Sequence, residues 1–183
     1  MLRRRERYIV PLFVFFLALS FVSNVHSKGY RNFLLLNPDD CAPLGKNVVM
    51  QLPAEWHKYA KFVKICELKE KKARVAKVSI VSIWADDYYD ARPPGAMWEN
   101  FPLPLIVDHD YRQLGQLPEL YPTHQESELN LYYGKWQSGM PTEIRIDVRN
   151  PAVGGDYYYA PLIWNKTTGR YEMKSKEITH GVR

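Results

Sequence analysis

The chain has 183 residues, with 25 basic and 20 acidic side chains, 13 Tyr and two Cys. Its net charge of +5 is concentrated at the start, because Arg3, Arg4, Arg5 and Arg7 stand against the single Glu6 within residues 1–27, leaving +2 for the remainder. A nucleic-acid protein is expected to carry a concentrated basic excess interleaved with aromatic residues; the one later run, Lys69, Lys71, Lys72 and Arg74, holds no aromatic residue, which argues against such a partner.

Residues 1–27 read as an export signal. The basic run is followed by a mostly apolar segment from Tyr8 to Val22 and a polar stretch ending Val25-His26-Ser27, where Val25 and Ser27 suit the small-residue positions before a cleavage point. The apolar core falls short of the ~20 residues that cross a bilayer, so cleavage after Ser27 is expected and a stable membrane anchor is not. Residues 28–183 then form a single exported β-rich domain, long enough to bury its own core. In an oxidising compartment Cys41 and Cys66 are expected to pair. Removing the signal also removes four of the seven Phe, leaving Tyr and Trp in excess; both have an apolar body with a polar tip and favour contact surfaces.

Taken in chain order, Val48 to Leu52 is a candidate strand, and residues 54–60 a short helix or turn. Lys61 to Leu68 reads as the hairpin partner of the Val- and Ile-rich segment Val75 to Trp84, turning through Lys69 to Ala73. Residues 85–102 are expected to be irregular, Leu103 to Val107 a strand, and 112–128 irregular again. Leu129 to Trp136 follows as a strand. Ile144, Ile146 and Val148 alternate with Arg145, Asp147 and Arg149, the pattern of a half-buried antiparallel strand. Tyr157 to Trp164 and Arg170 to Lys174 flank the turn cluster Asn165 to Gly169 and predict a final hairpin. The fold class expected is mainly β or α+β: an antiparallel sheet in a single small domain with at most one or two short helices.

The chemistry-bearing motifs are weak. Asp108-His109-Asp110 is the most metal-like cluster, but a strand through it places His109 on the face opposite both carboxylates, so a turn role is preferred. His57, His124 and His180 are isolated, and no nucleophile-elbow or phosphate-loop pattern occurs. No cofactor is expected. Asn165-Lys166-Thr167 matches the glycosylation sequon. The segment hardest to explain as mere structure runs from Asp86 to Trp98. It offers Asp86, Asp87, Tyr88, Tyr89, Arg92 and Trp98 on a connection stiffened by Pro93 and Pro94, and Tyr, Trp and Arg are the residue types that anchor interfaces. The competing expectation is that its aromatic residues fold back as a lid over the sheet.

These observations predict an exported, periplasmic or secreted, non-catalytic binding protein of the immunity or inhibitor type that engages another protein of the cell envelope. The alternative expectation is an exported hydrolase or carbohydrate-binding module acting on envelope sugars, which requires a pair of carboxylates set across a sugar.

Overall fold

Alternating apolar residues become strands of two antiparallel sheets. The computed structural model describes residues 30–92, 99–119, 129–150, 155–174 and 179–181, and Asn32–Arg183 cluster as one unit. The expected signal, residues 1–27, lies outside the described residues, among which no helix is long and apolar enough to cross a membrane.

The first sheet has the order β2 (Cys41–Pro43), β3 (Val63–Leu68), β4 (Val78–Ile83), β5 (Leu105–Asp108) and β6 (Gln113–Gln116). The second has the order β1 (Phe33–Leu35), β7 (Leu129–Gln137), β8 (Met140–Asn150), β10 (Leu162–Asn165) and β11 (Arg170–Met173), with β9 (Gly155–Tyr158) also along β8 and β12 (Thr179–Gly181) along β9. Two short α-helices, α1 (Lys46–Val49) and α2 (Ala85–Asp90), and 3-10 turns at Pro38–Asp40 and Ala54–Tyr59 complete the described elements. The expected mainly antiparallel fold is the one found.

All six residues of β4 are buried, because this strand is covered on both faces. Val78 and Ile80, with Cys66, Leu68 and Ile106, face the second sheet and meet Leu131, Ile144, Ile146, Leu162 and Tyr171. Val81 and Ile83, with Val63, Leu105 and Val107, face the other way and meet Leu44, Val49, Leu52, Trp56, Tyr59, Tyr88 and Phe101. The described residues therefore form three layers: sheet, sheet, and a helical layer built from residues 44–62, 85–92 and 99–101. Full burial of each Val, Ile or Phe in such a layer stabilises by ~1.5–3 kcal/mol.

The sheets approach each other at β6 and β11, where a Cβ added to Gly115 would come within 3.1 Å of the Tyr171 Cβ and carbonyl oxygen. The Tyr171 hydroxyl donates to the Pro141 carbonyl, and burial pushes its pKa upward. Cys41 and Cys66 are direct partners across β2 and β3 and form the expected disulfide. With a separation of 25 residues, the chain-entropy account gives it about 3 kcal/mol. On β8, Glu143 is 5% exposed and is held by Lys135 and by Arg145 Nε at 2.5 Å. Burial opposes its ionisation, but these two cations outweigh it and hold the carboxyl below its ordinary value.

Four expectations are corrected. Val48 to Leu52 is not a strand: Val49 and Leu52 are buried three residues apart, a helical spacing, and α1 continues into a turn closed by Leu52 N–H on the Val49 carbonyl at 3.0 Å. Ala85–Asp90 is helical and Gln113–Gln116 is a strand, where irregular chain was expected. The expected strand Tyr157 to Trp164 is two strands along the same edge of β8, Tyr158 pairing Asp147 and Leu162 pairing Ile144; Pro161, which has no N–H, stands in the interruption. The backbone turns after Asp108, whose Oδ1 accepts from the N–H of Asp110 at 2.8 Å and of Arg112 at 2.9 Å. With this turn the ligand atoms of Asp108, His109 and Asp110 lie within 4.8 Å of one another, as an uninterrupted strand would not allow, and Asp108 performs the turn role expected of it.

Gly134 gives a direct test of the β1–β7 edge. A Cβ there would lie 2.3 Å from the Asn32 carbonyl oxygen, a backbone atom that yields only if β1 moves. Gly134→Ala is expected to destabilise the domain by about 1–3 kcal/mol, measured by urea unfolding, with amide exchange accelerated in Phe33–Leu35 and unchanged in β4.

Candidate interaction site

β4 delivers its chain into α2 by way of Trp84. The helix is short and acidic in its first turn, Asp86 and Asp87 lying where the helix dipole favours negative charge. Asp87 is also fixed from outside the helix by Lys64 Nζ at 2.7 Å, and that ammonium sits 4.9 Å from the centre of the Trp84 ring. Two links through Lys64 therefore lock the start of the segment to β3.

Tyr88 turns inward. It is 3% exposed, and its ring meets Tyr59, Phe62, Tyr89 and Phe101 edge-on at centroid distances of 5.6, 5.1, 5.2 and 5.0 Å. Such edge-to-face pairs each add about 0.5–1.5 kcal/mol beyond the area they bury. Of the residues expected to contact a partner, Tyr88 is thus a core residue. Asp86, Asp87 and Tyr89 are half-buried and Arg92 is exposed; Trp98 lies outside the described residues.

No sequence motif pointed to the residue at the centre of this arrangement, Glu99. Its carboxylate accepts from Tyr59 Oη at 2.9 Å, from the Tyr88 hydroxyl, from Arg92 Nη2 at 2.6 Å and from Lys58 Nζ at 3.4 Å. Its own N–H donates to Tyr89 Oη at 2.7 Å. Arg92 also stacks over the Tyr88 ring at 4.6 Å. One carboxylate thereby ties the end of α2, the 3-10 turn Ala54–Tyr59 and the irregular stretch that carries Phe101. The Tyr59 hydroxyl, then Lys58 and Arg92, hold the Glu99 carboxyl below its ordinary value against a smaller opposing effect of burial. The Arg92–Glu99 pair holds together the described residues on either side of positions 93–98.

Elsewhere the described residues offer less. A cavity of about 40 Å³ between the sheets is lined by Leu36, Ile80, Trp84, Leu117, Leu129 and Leu131, with the Ser82 hydroxyl among them, and no charged group enters it. The sequon Asn165 is taken up by its own turn: its Oδ1 accepts from Thr167 N–H at 2.9 Å and its Nδ2 donates to Glu172 at 2.9 Å. Glu172, like Glu99 and Glu143, is shifted downward, here by the Asn165 and Thr168 hydrogen bonds. Comparison of the chain with protein-family models, curated proteins and solved structures finds no match.

Glu99 makes a pH prediction. A carboxyl whose folded pKa is depressed contributes stability that is complete above its unfolded value and is lost as pH falls through the folded one. Stability is therefore expected to fall as pH drops below the ordinary glutamate value of 4.5. Glu99→Gln is expected to lower stability at neutral pH and to flatten this acid limb, as read from denaturant midpoints across the pH range; an unchanged limb would assign the loss to Glu143 and Glu172 instead.

Proposed function

We propose that this chain is an exported, non-catalytic binding protein, of the immunity or inhibitor type, that engages another protein of the cell envelope through α2 and the connection that follows it. The observation that carries the reading is the Glu99 clasp. A connection rich in Tyr, Trp, Arg and Pro has both ends bound to the aromatic layer, so ordering it on contact loses less entropy than ordering a free loop. Asp86, Asp87, Tyr89, Arg92 and Trp98 are the contact residues, and the buried Tyr88 supports α2 from the core. Export is supported by the Cys41–Cys66 disulfide, a bond that suits an oxidising compartment.

The binding reading stands ahead of the hydrolase reading because the described carboxyls with resolved shifts, Glu99, Glu143 and Glu172, all move downward, whereas a glycosidase general acid needs an upward shift.

The test uses a photoreactive residue placed at position 98 or, as the control, at the exposed Lys166 of the β10–β11 turn. On exposure in intact cells, position 98 is expected to give one discrete protein adduct and position 166 none. Adding Asp86→Lys, a charge reversal outside the core, is expected to reduce that adduct at least about tenfold, the scale of an interface anchor, with little change in thermal midpoint. Equal adducts from both positions, or an adduct indifferent to Asp86→Lys, would overturn the reading.

A further inference from the structure

The end of β4 opposite α2 carries a second feature that the first site does not absorb. The turn joining β3 to β4, residues 69–77, contains Lys69, Lys71, Lys72, Arg74 and Lys77 against one acidic residue, Glu70. That is a net +4 in nine residues, while residues 28–183 as a whole carry +2, so the rest of the domain is net negative. The charge is segregated to one hairpin tip.

Four of the five cations of the tip are left to the solvent. Lys58, Lys64, Arg92, Lys135 and Arg145 all pair with carboxylates, and Lys69 pairs with Glu67 at 2.5 Å. Lys71, Lys72, Arg74 and Lys77 are exposed and make no ion pair among the described residues. Between them stands Val75, 71% exposed, beyond Leu35, Met50, Leu103 and Met173. The tip is held rather than loose: Ala73 N–H donates to the Glu70 carbonyl at 2.8 Å, Ala76 is buried, and the β3–β4 ladder pairs from Val63 to Leu68 without a break. Lys77 packs over the neighbouring β7–β8 turn, its Cε 3.5 Å from where a Gly139 Cβ would stand. Of the acidic neighbours, Glu67 pairs with Lys69, Asp40 also acts on Lys69, and Asp108, opposite Val78, is bound to two backbone N–H groups.

We propose that this hairpin tip docks on an anionic lipid membrane surface, with Lys71, Lys72, Arg74 and Lys77 meeting headgroup phosphates and Val75 entering the interface between them. Basic residues around a protruding apolar side chain match the two properties of that surface, negative potential outside and hydrocarbon just beneath. A nucleic acid presents phosphates too, but it is held by stacking on aromatic residues among the cations, and this turn has none. The α2 surface lies at the far end of β4, about 20 Å away for six residues, so a membrane-seated tip leaves it facing away from the bilayer. The proposal does not depend on that surface having a partner.

The test is co-sedimentation of the protein, as isolated from expressing cells, with vesicles of phosphatidylcholine alone or mixed with phosphatidylglycerol. Binding is expected only with the anionic lipid, and is expected to weaken steeply as salt is raised. Lys71→Glu combined with Lys72→Glu and Arg74→Glu is expected to lower the partition coefficient at least about tenfold, and Val75→Asp by a smaller factor. Both variants change exposed turn residues, and an unchanged thermal midpoint verifies folding. Equal binding to neutral vesicles, reversal variants that bind like the parent, or binding to soluble polyphosphate with none to anionic vesicles would each overturn the proposal.

Discussion

Burial of β4 on both faces is the constraint from which the rest of the arrangement follows. A strand of Val-Ser-Ile-Val-Ser-Ile has apolar side chains for two cores, so it must lie between two covering layers. The second sheet supplies one cover. The other comes from residues 44–62, 85–92 and 99–101, whose short helices and turns bring Trp56, Tyr59, Tyr88 and Phe101 to the same apolar face. Without β4 in the middle, neither the basic hairpin nor α2 has a fixed position, since each is a direct continuation of one of its ends.

Glu99 illustrates how such a frame produces a local site. A carboxylate at 29% side-chain exposure beside two phenols, a guanidinium and an ammonium is well satisfied, and its charge is stabilised without being desolvated completely. Replacing a buried ion pair by apolar groups often costs nothing, so the value of this cluster lies less in net stability than in fixing which backbone segments meet. The segment after α2 is held at the point where its aromatic and charged residues begin.

Much of the sheet was legible in the sequence because period-2 alternation of Val and Ile survives into the structure at β3, β4 and β8. The helical layer was not. The pair Val48-Val49 has strand propensity, yet the spacing of Val49 and Leu52 toward one apolar face decides for a helix. Asp86-Asp87-Tyr88-Tyr89 has little intrinsic preference for helix, and α2 exists because Tyr88 has an aromatic pocket to fill. Glu99 was invisible for a different reason: its partners Tyr59 and Lys58 are 40 and 41 residues away, and no local pattern announces a contact at that distance. Asp108, by contrast, was readable as turn chemistry, because an Asp at the end of a strand caps the backbone N–H groups that follow it.

The central claim is that the base of the α2 connection is as firmly held as the core strand it follows. Amide hydrogen exchange at Glu99 tests it most directly, because this N–H lies outside the helices and strands and its bond is to the Tyr89 hydroxyl at 2.7 Å. The account predicts slow exchange at Glu99, comparable with the amides of β4, and its loss in Tyr89→Phe while β4 remains protected. Rapid exchange at Glu99 in the parent protein, with β4 still protected, would contradict it.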